Sequence, residues 1–267
     1  MSRHEERGRV LVIAGSDSGG GAGVQADIKT ITALGGYAMT AITAITVQNT
    51  RGVLGVHPVP LPVIEAQGRA VLDDLGADAV KTGMLGDAAV VELAAGLIDL
   101  ADAPAVVDPV MIAKGGQALL DPDAVVAVRE WLIPRAALLT PNAPEAAALT
   151  GLPVETTEDL RRAGEALLGM GAQAVLMKGG HVAGPRVVDL LMTPHAVSRY
   201  DTGRIDTRHT HGTGCTLASA CATGLAQGLS VDAAVERARD YVLEAIRRAP
   251  GFGAGHGPLD HAWPVRP

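Results

Sequence analysis

Short apolar runs, each ended by glycine or a polar residue, alternate with helix-length stretches through almost the whole chain. Val10–Gly15 (VLVIAG) is an all-apolar run of the kind that is buried on both faces of a sheet. Val24–Leu34 reads as a helix closed by Gly35 and Gly36. Tyr37–Val47 is β-branched and strand-like. Further strands are predicted at Ala79–Lys81, Ala105–Asp108, Ala137–Thr140, Ala174–Lys178 and Val187–Met192. Helices are predicted at Pro62–Leu75, Asp87–Leu100, Asp121–Trp131, Asn142–Leu149, Glu158–Met170, Gly214–Gln227 and Val231–Arg248. This alternation fits βαβ crossovers, so the expected fold is α/β with a mostly parallel sheet covered on both faces. No composition break or long linker divides the chain, which predicts one domain over residues 1–267, with the charged stretch 1–9 as a flexible tail.

Composition narrows the partners. A chain of 267 residues can bury a full core without disulfides or a structural metal. A hydrophobic fraction of 48% excludes disorder. A net charge of −7 argues against nucleic acid and anionic membranes, which need a basic face. An aromatic content of 2% argues against base-stacking grooves. No apolar run reaches the roughly 18 residues of a membrane span, and the polar start is no signal peptide. Cys215 and Cys221 lie six apart in one predicted helix, off a common face, so neither a disulfide nor a zinc site is expected. A reducing cytoplasm is the expected compartment.

Open parallel sheets bind ligands beyond the carboxyl ends of their strands. The polar and glycine-rich residues fall there: Ser16–Gly23, Gln48, Asn49, Thr82–Met84, Asp108, Asn142 and Lys178–Gly180. Gly21-x-Gly23-x-x-Ala26 resembles a dinucleotide fingerprint, but no Asp or Glu occurs between Asp27 and Glu65 to hold a ribose. The P-loop pattern is absent, since no Lys follows a Gly. His211–Thr216 (HGTGCT) runs into a helix, where N–H groups and the helix dipole suit an anion or a phosphoryl group in transfer. Cys215 in that first turn should have a lowered thiol pKa; a plain glycine turn with a buried cysteine fits equally. Asn142 and Glu145 form a capping-box pattern or supply a carboxylate for hydrated Mg²⁺. Lys178 is a phosphate neutraliser or a surface charge, and Asp108 a turn former or a functional acid. His209 and His211 lack a third metal ligand.

Seven segments in this order carry a resemblance: AGSDSGGGAGVQADIKT (14–30), ITVQNTRGV (45–53), KTGML (81–85), VVDPVMIAKGG (106–116), LLTPNAPEAAALTG (138–151), VLMKGGH (175–181) and HGTGCT (211–216). Together they resemble the hydroxymethylpyrimidine/phosphomethylpyrimidine kinases, a family of ribokinase-like fold. The resemblance implies a three-layer α/β/α fold, a homodimer, ATP as co-substrate with Mg²⁺, and room for a monovalent cation. It implies phosphorylation of 4-amino-5-hydroxymethyl-2-methylpyrimidine, then of its monophosphate, in thiamin biosynthesis. Gln48 would then bond the ring, and Gly15, Asp27, Met84, Val110 and Cys215 would line its pocket. Asp108 and Glu145 would organise the metal, and Asn142, Thr213 and Lys178 would contact phosphates. Gly212, Thr213 and Gly214 would form the anion hole. Cys215 would stand at the base position with Asp108 in reserve, and Met111–Gln117 would form a flap. Some relatives carry Glu at the position of Gln48, but an amide can both donate and accept. Two other functions fit the same residues: a pyridoxal/pyridoxine kinase, or a non-catalytic vitamer-binding protein. None of the six aromatic residues falls in a ligand motif, so no ring should stack on the substrate, with Tyr37 the nearest exception.

Overall fold

A computed structural model describes residues 7–112 and 119–266. Its centre is a nine-stranded sheet in the order β3-β2-β1-β4-β5-β6-β7-β8-β9. The strands are β1 (Arg9–Asp17), β2 (Tyr37–Asn49), β3 (Gly52–Pro58), β4 (Ala79–Thr82), β5 (Ala105–Val107), β6 (Ala136–Leu139), β7 (Val175–Met177), β8 (Arg186–Met192) and β9 (Val197–Gly203). From β2 through β1 and β4 to β7 every pairing is parallel; β3, β8 and β9 add antiparallel strands at the two edges.

The sheet is sandwiched because its strands are apolar on both sides. In β1, Leu11 and Ile13 enter one core while Val10, Val12 and Ala14 enter the other, all at most 1% exposed. The first core is closed by α2 (Leu61–Asp74), α3 (Ala88–Ala101), α4 (Pro122–Ala127), α5 (Ala143–Thr150) and α6 (Thr157–Gly169). The second is closed by α1 (Gly23–Ala33), α7 (Thr213–Ala226) and α8 (Val231–Arg247). The result is the three-layer α/β/α fold. After α4 the chain continues as a π turn and a 3-10 turn to Arg135, so the helix expected to Trp131 changes its hydrogen-bonding pattern midway.

Two strands lie outside the sequence expectation. β3 carries two glycines and ends in proline, and β9 is mostly polar or charged, with Val197 and Tyr200 three apart; both sit at the edge, where burial writes no apolar run. The expected tail at 1–9 is corrected at its inner end. Residues 1–6 lie outside the described residues, but Arg9 opens β1 and pairs with Asp78 at 2.6 Å. Of the expected flap, residues 113–117 also lie outside the described residues.

Candidate active site

The carboxyl ends of β1, β4, β5, β6 and β7 open into one cavity of about 780 Å³. Its walls include Gly15, Gln48, Met84, Asp108, Val110, Asn142, Glu145, Lys178 and Gly212–Cys215. Twelve of the thirteen residues singled out from the sequence therefore meet at one place. No Tyr, Phe or Trp of the described residues lines it, and Tyr37 sits at the opposite, amino end of β2.

At the centre is Lys178, which follows β7. Its Nζ donates to Asp108 Oδ1 at 3.0 Å and lies 3.7 Å from Glu145 Oε2. Burial works to lower the pKa of Lys178, and the two carboxylates raise it further than burial lowers it. Thr140 Oγ1 donates to the same Asp108 oxygen at 3.1 Å. Glu145 is held by the capping box of α5: Asn142 N donates to Glu145 Oε2 at 2.8 Å, and Glu145 N donates to Asn142 Oδ1 at 3.0 Å. The cap and the functional geometry thus coexist in one pair of residues. Burial, opposed by Lys178 and reinforced by Asp108, pushes the Glu145 carboxyl up to about 7.

The first turn of α7 meets this group. A Cβ on Gly214 would lie 3.4 Å from Lys178 Nζ and 3.7 Å from Asp108 Oδ2. Gly212, the N-cap, has φ +82°, and a Cβ there would lie 1.8 Å from the carbonyl oxygen of Gly21, so no other residue fits. No side chain caps α7. Thr213 N reaches back to Thr210 O at 3.5 Å, and the N–H groups of Gly214 and Cys215, with the positive end of the helix dipole, are available to an anion.

Cys215 stands in that turn, but its thiol pKa is raised, not lowered as expected. Burial pushes it up to about 11 against the pull of Lys81. Depth outweighs the helix terminus here.

The other glycine-rich loop serves a different purpose. Asp17 Oδ1 accepts from Gly19 N at 2.8 Å, and Oδ2 accepts from Gly21 N at 3.1 Å and Ala22 N at 2.8 Å. These N–H groups are spent on the chain's own carboxylate, which removes the dinucleotide reading. His211 Nε2 lies 2.8 Å from Asp17 Oδ2, tying this loop to the one before α7.

Asp27 is the residue that does not line the cavity. It is fully buried beneath the floor, accepting from Lys81 Nζ at 2.9 and 3.0 Å and from Ser219 Oγ at 2.6 Å. Lys81, itself fully buried in β4, reaches the cavity wall in its place. The signal was present in the sequence, since a lysine inside an all-buried strand demands a buried acid. Arg204 was also missed. Its guanidinium donates to the carbonyls of Gly180, Val182 and Gly184, at 2.8, 2.6 and 2.8 Å, and pins the loop after β7.

Among the described residues no three His, Cys, Asp or Glu converge as a metal cage. Asp108 and Glu145 are two hard oxygen donors on one wall, which suits a cation such as Mg²⁺ that takes one or two carboxylates and fills its shell with water and phosphate.

A buried lysine between two carboxylates, facing a helix terminus that no side chain caps, at the carboxyl ends of the parallel strands of a three-layer fold, defines a phosphotransferase of the ribokinase-like class. The sequence model of the phosphomethylpyrimidine kinases matches residues 17–260, and the chain belongs to that family. It is 53% identical to the hydroxymethylpyrimidine/phosphomethylpyrimidine kinase of Streptomyces coelicolor, covering 95% of this chain and 94% of the relative. It is 48% identical to the Bacillus subtilis kinase of the same name, over 95% and 94%. Its fold superposes on the pyridoxal kinase of Staphylococcus aureus, solved with ADP, with a TM-score of 0.90 at 37% identity, covering 96% of this chain and 94% of that one.

Proposed function

We propose that the chain transfers the γ-phosphoryl group of ATP to the 5-hydroxymethyl oxygen of 4-amino-5-hydroxymethyl-2-methylpyrimidine, and then phosphorylates the monophosphate to the diphosphate, in thiamin biosynthesis in the cytoplasm. The observation that carries this reading is Lys178, bridged to Asp108 and Glu145, beside the uncapped first turn of α7 and in the same cavity as Gln48.

Phosphoryl transfer asks little covalent chemistry of a protein and much positioning and electrostatics. Lys178 neutralises the nucleotide phosphates. The N–H groups at Gly212–Cys215 receive the charge on the transferring group. Asp108 and Glu145 are the residues that would hold Mg²⁺, which supplies charge neutralisation at the phosphates. Gln48 pairs with the ring edge, and Met84 and Val110 pack on its faces, in keeping with a cavity that no Tyr, Phe or Trp of the described residues lines. The hydroxymethyl proton passes to Cys215 as oxygen bonds to phosphorus and ADP leaves. That role needs the thiolate. Lys81 draws the thiol pKa down against its burial, and a metal held by Asp108 and Glu145 would supply positive charge in the same direction. Asp108 is the second candidate for the proton.

Ile45, Val47 and Leu54, on the β2–β3 hairpin, are 46%, 47% and 73% exposed. This apolar surface supports the homodimer that the resemblance implies.

A second substrate is favoured by the likeness to the Staphylococcus aureus enzyme. Pyridoxal and pyridoxine also carry a hydroxymethyl group on a nitrogen ring. Phosphorus NMR with Mg·ATP and each alcohol in turn decides between them. Monophosphate followed by diphosphate from the pyrimidine supports the main reading. A phosphate ester from the pyridine alcohols alone favours the second, and binding without any ester leaves a vitamer-binding protein.

A further inference from the structure

We infer that Asp17 and His211 are a positioning pair for the Gln48 side chain: they fix which end of its amide donates and which accepts, and so set the preference of the site for an amino group over a carbonyl on the substrate ring. The inference rests on the reading that Gln48 meets the pyrimidine.

Two contacts hold the Gln48 amide. Its Nε2 lies 3.1 Å from His211 Nε2, and its Oε1 lies 3.2 Å from Thr46 Oγ1. The partners decide what each contact can be. Asp17 already accepts three backbone N–H bonds and, as a carboxylate, offers only acceptors. Although burial alone would raise its pKa, the bond to His211 and those from Ala22 and Gly19 hold it below the usual carboxylate range. The proton between Asp17 and His211 therefore sits on His211 Nε2. An N–H there cannot accept from the Gln48 amide nitrogen, which also has only donors.

The opposite contact is reversed as well. Thr46 Oγ1 donates its single proton to Ser16 O at 2.8 Å, leaving only lone pairs toward Gln48 Oε1. Two independent partners thus reject the same orientation. One half-turn of the amide corrects both. Gln48 Oε1 then accepts a share of the His211 Nε2–H, and Gln48 Nε2–H donates to Thr46 Oγ1. The two ends of an amide are nearly alike in size, so the turn needs no space.

His211 itself cannot swing away. It is 8% exposed, and a Cβ on Gly21 would already lie 2.6 Å from its Cδ2. Its backbone N donates to Gly257 O at 3.1 Å. The ring is a wedged, singly oriented donor. An amide free to turn would serve an amino ring edge and a carbonyl ring edge about equally. An amide held at both ends leaves one N–H and one lone pair in fixed places, and discriminates.

The test compares kcat/KM for the 4-amino substrate and its 4-oxo analogue in wild type, His211→Leu, Thr46→Val, Gln48→Ala and the Gln48→Ala/His211→Leu double variant. Wild type should favour the amino substrate. His211→Leu and Thr46→Val should each shrink that preference about tenfold, through KM for the amino substrate. With Gln48→Ala in place, His211→Leu should change the ratio no further, which a general structural role would not produce. Nitrogen-15 NMR of the wild-type protein should find His211 protonated at Nε2. Thr46→Val and the NMR measurement keep the test open should His211→Leu fail to fold. Unchanged preference in both single variants alongside an effect of Gln48→Ala, or a proton on Nδ1 alone, overturns the inference while leaving the pyrimidine reading intact. A Gln48→Ala variant with unaltered pyrimidine KM overturns the inference together with the placement of Gln48 at the substrate.

Discussion

Replacing Lys81 with methionine removes a charge while keeping most of the side chain's volume. Lys81 and Asp27 are both fully buried, 2.9 and 3.0 Å apart through the two carboxylate oxygens, and Ser219 is the other side chain among the described residues that hydrogen-bonds Asp27. Exposed ion pairs contribute about 0–1 kcal/mol, but taking one partner from a buried pair strands the other charge and costs about 3–5 kcal/mol. At about 2.1 cal/mol/K of unfolding entropy per residue, that corresponds to a Tm lower by about 5–9 °C. Burial already pushes the Asp27 carboxyl upward, and without Lys81 that push is less opposed. A carboxyl whose folded pKa lies above its unfolded value loses stability as pH rises through the folded value. The Lys81→Met deficit should therefore be larger at pH 8 than at pH 5. Urea unfolding followed by circular dichroism at both pH values measures it. Lys81→Met/Asp27→Leu, which leaves no stranded charge, should regain most of the loss. A single variant within about 1 kcal/mol of wild type, or a double variant no more stable than the single, refutes the reasoning.

Glu145 gives a second pH test. With a folded pKa of about 7 against an ordinary 4.5, it contributes stability below pH 4.5 that is lost as pH rises through 7. Metal-free Glu145→Gln, which keeps a good capping residue, should lack that slope between pH 5 and 8 in thermal melts. Gly212→Ala should lower kcat/KM for ATP at least about tenfold and reduce Tm, since a left-handed alanine costs roughly 1–2 kcal/mol before any clash with Gly21; a normal KM for ATP would show that the turn tolerates a Cβ. Alkylation of ligand-free Cys215 should accelerate with pH toward 11 without levelling near 7, and Cys215→Ala should lower kcat about 100-fold or more with pyrimidine binding retained.

Much of this was legible from residues alone. The doubly buried strands wrote themselves as apolar runs, and the polar residues at their carboxyl ends named the cavity. Edge strands did not, because β3 and β9 bury too little for their sequences to show a pattern. Within the site, local spacing identified the α5 capping box and the α7 loop. It could not pair Lys81 with Asp27 or His211 with Asp17, which lie 54 and 194 residues apart. Asp27 was accordingly expected in the pocket wall, whereas it lies one layer below. The Cys215 thiol was misjudged for a related reason: position in a helix can be read from spacing, but depth cannot.

The order of strands in the sheet also bears on how the chain is made. From β1 outward, β4 to β9 join in the order in which they leave the ribosome, each adding to an edge already present. Synthesis from the amino end can therefore extend a growing sheet without reopening it. The cavity wall that carries Gln48 and Met84 is laid down early, while His211, which touches Gln48 at 3.1 Å, comes late. The first turn of α7 arrives with residues 212–214, and His211 finds its bridge partner only at Pro258. A nascent chain thus carries only part of the cavity for most of its synthesis, and closes it late, at the first turn of α7.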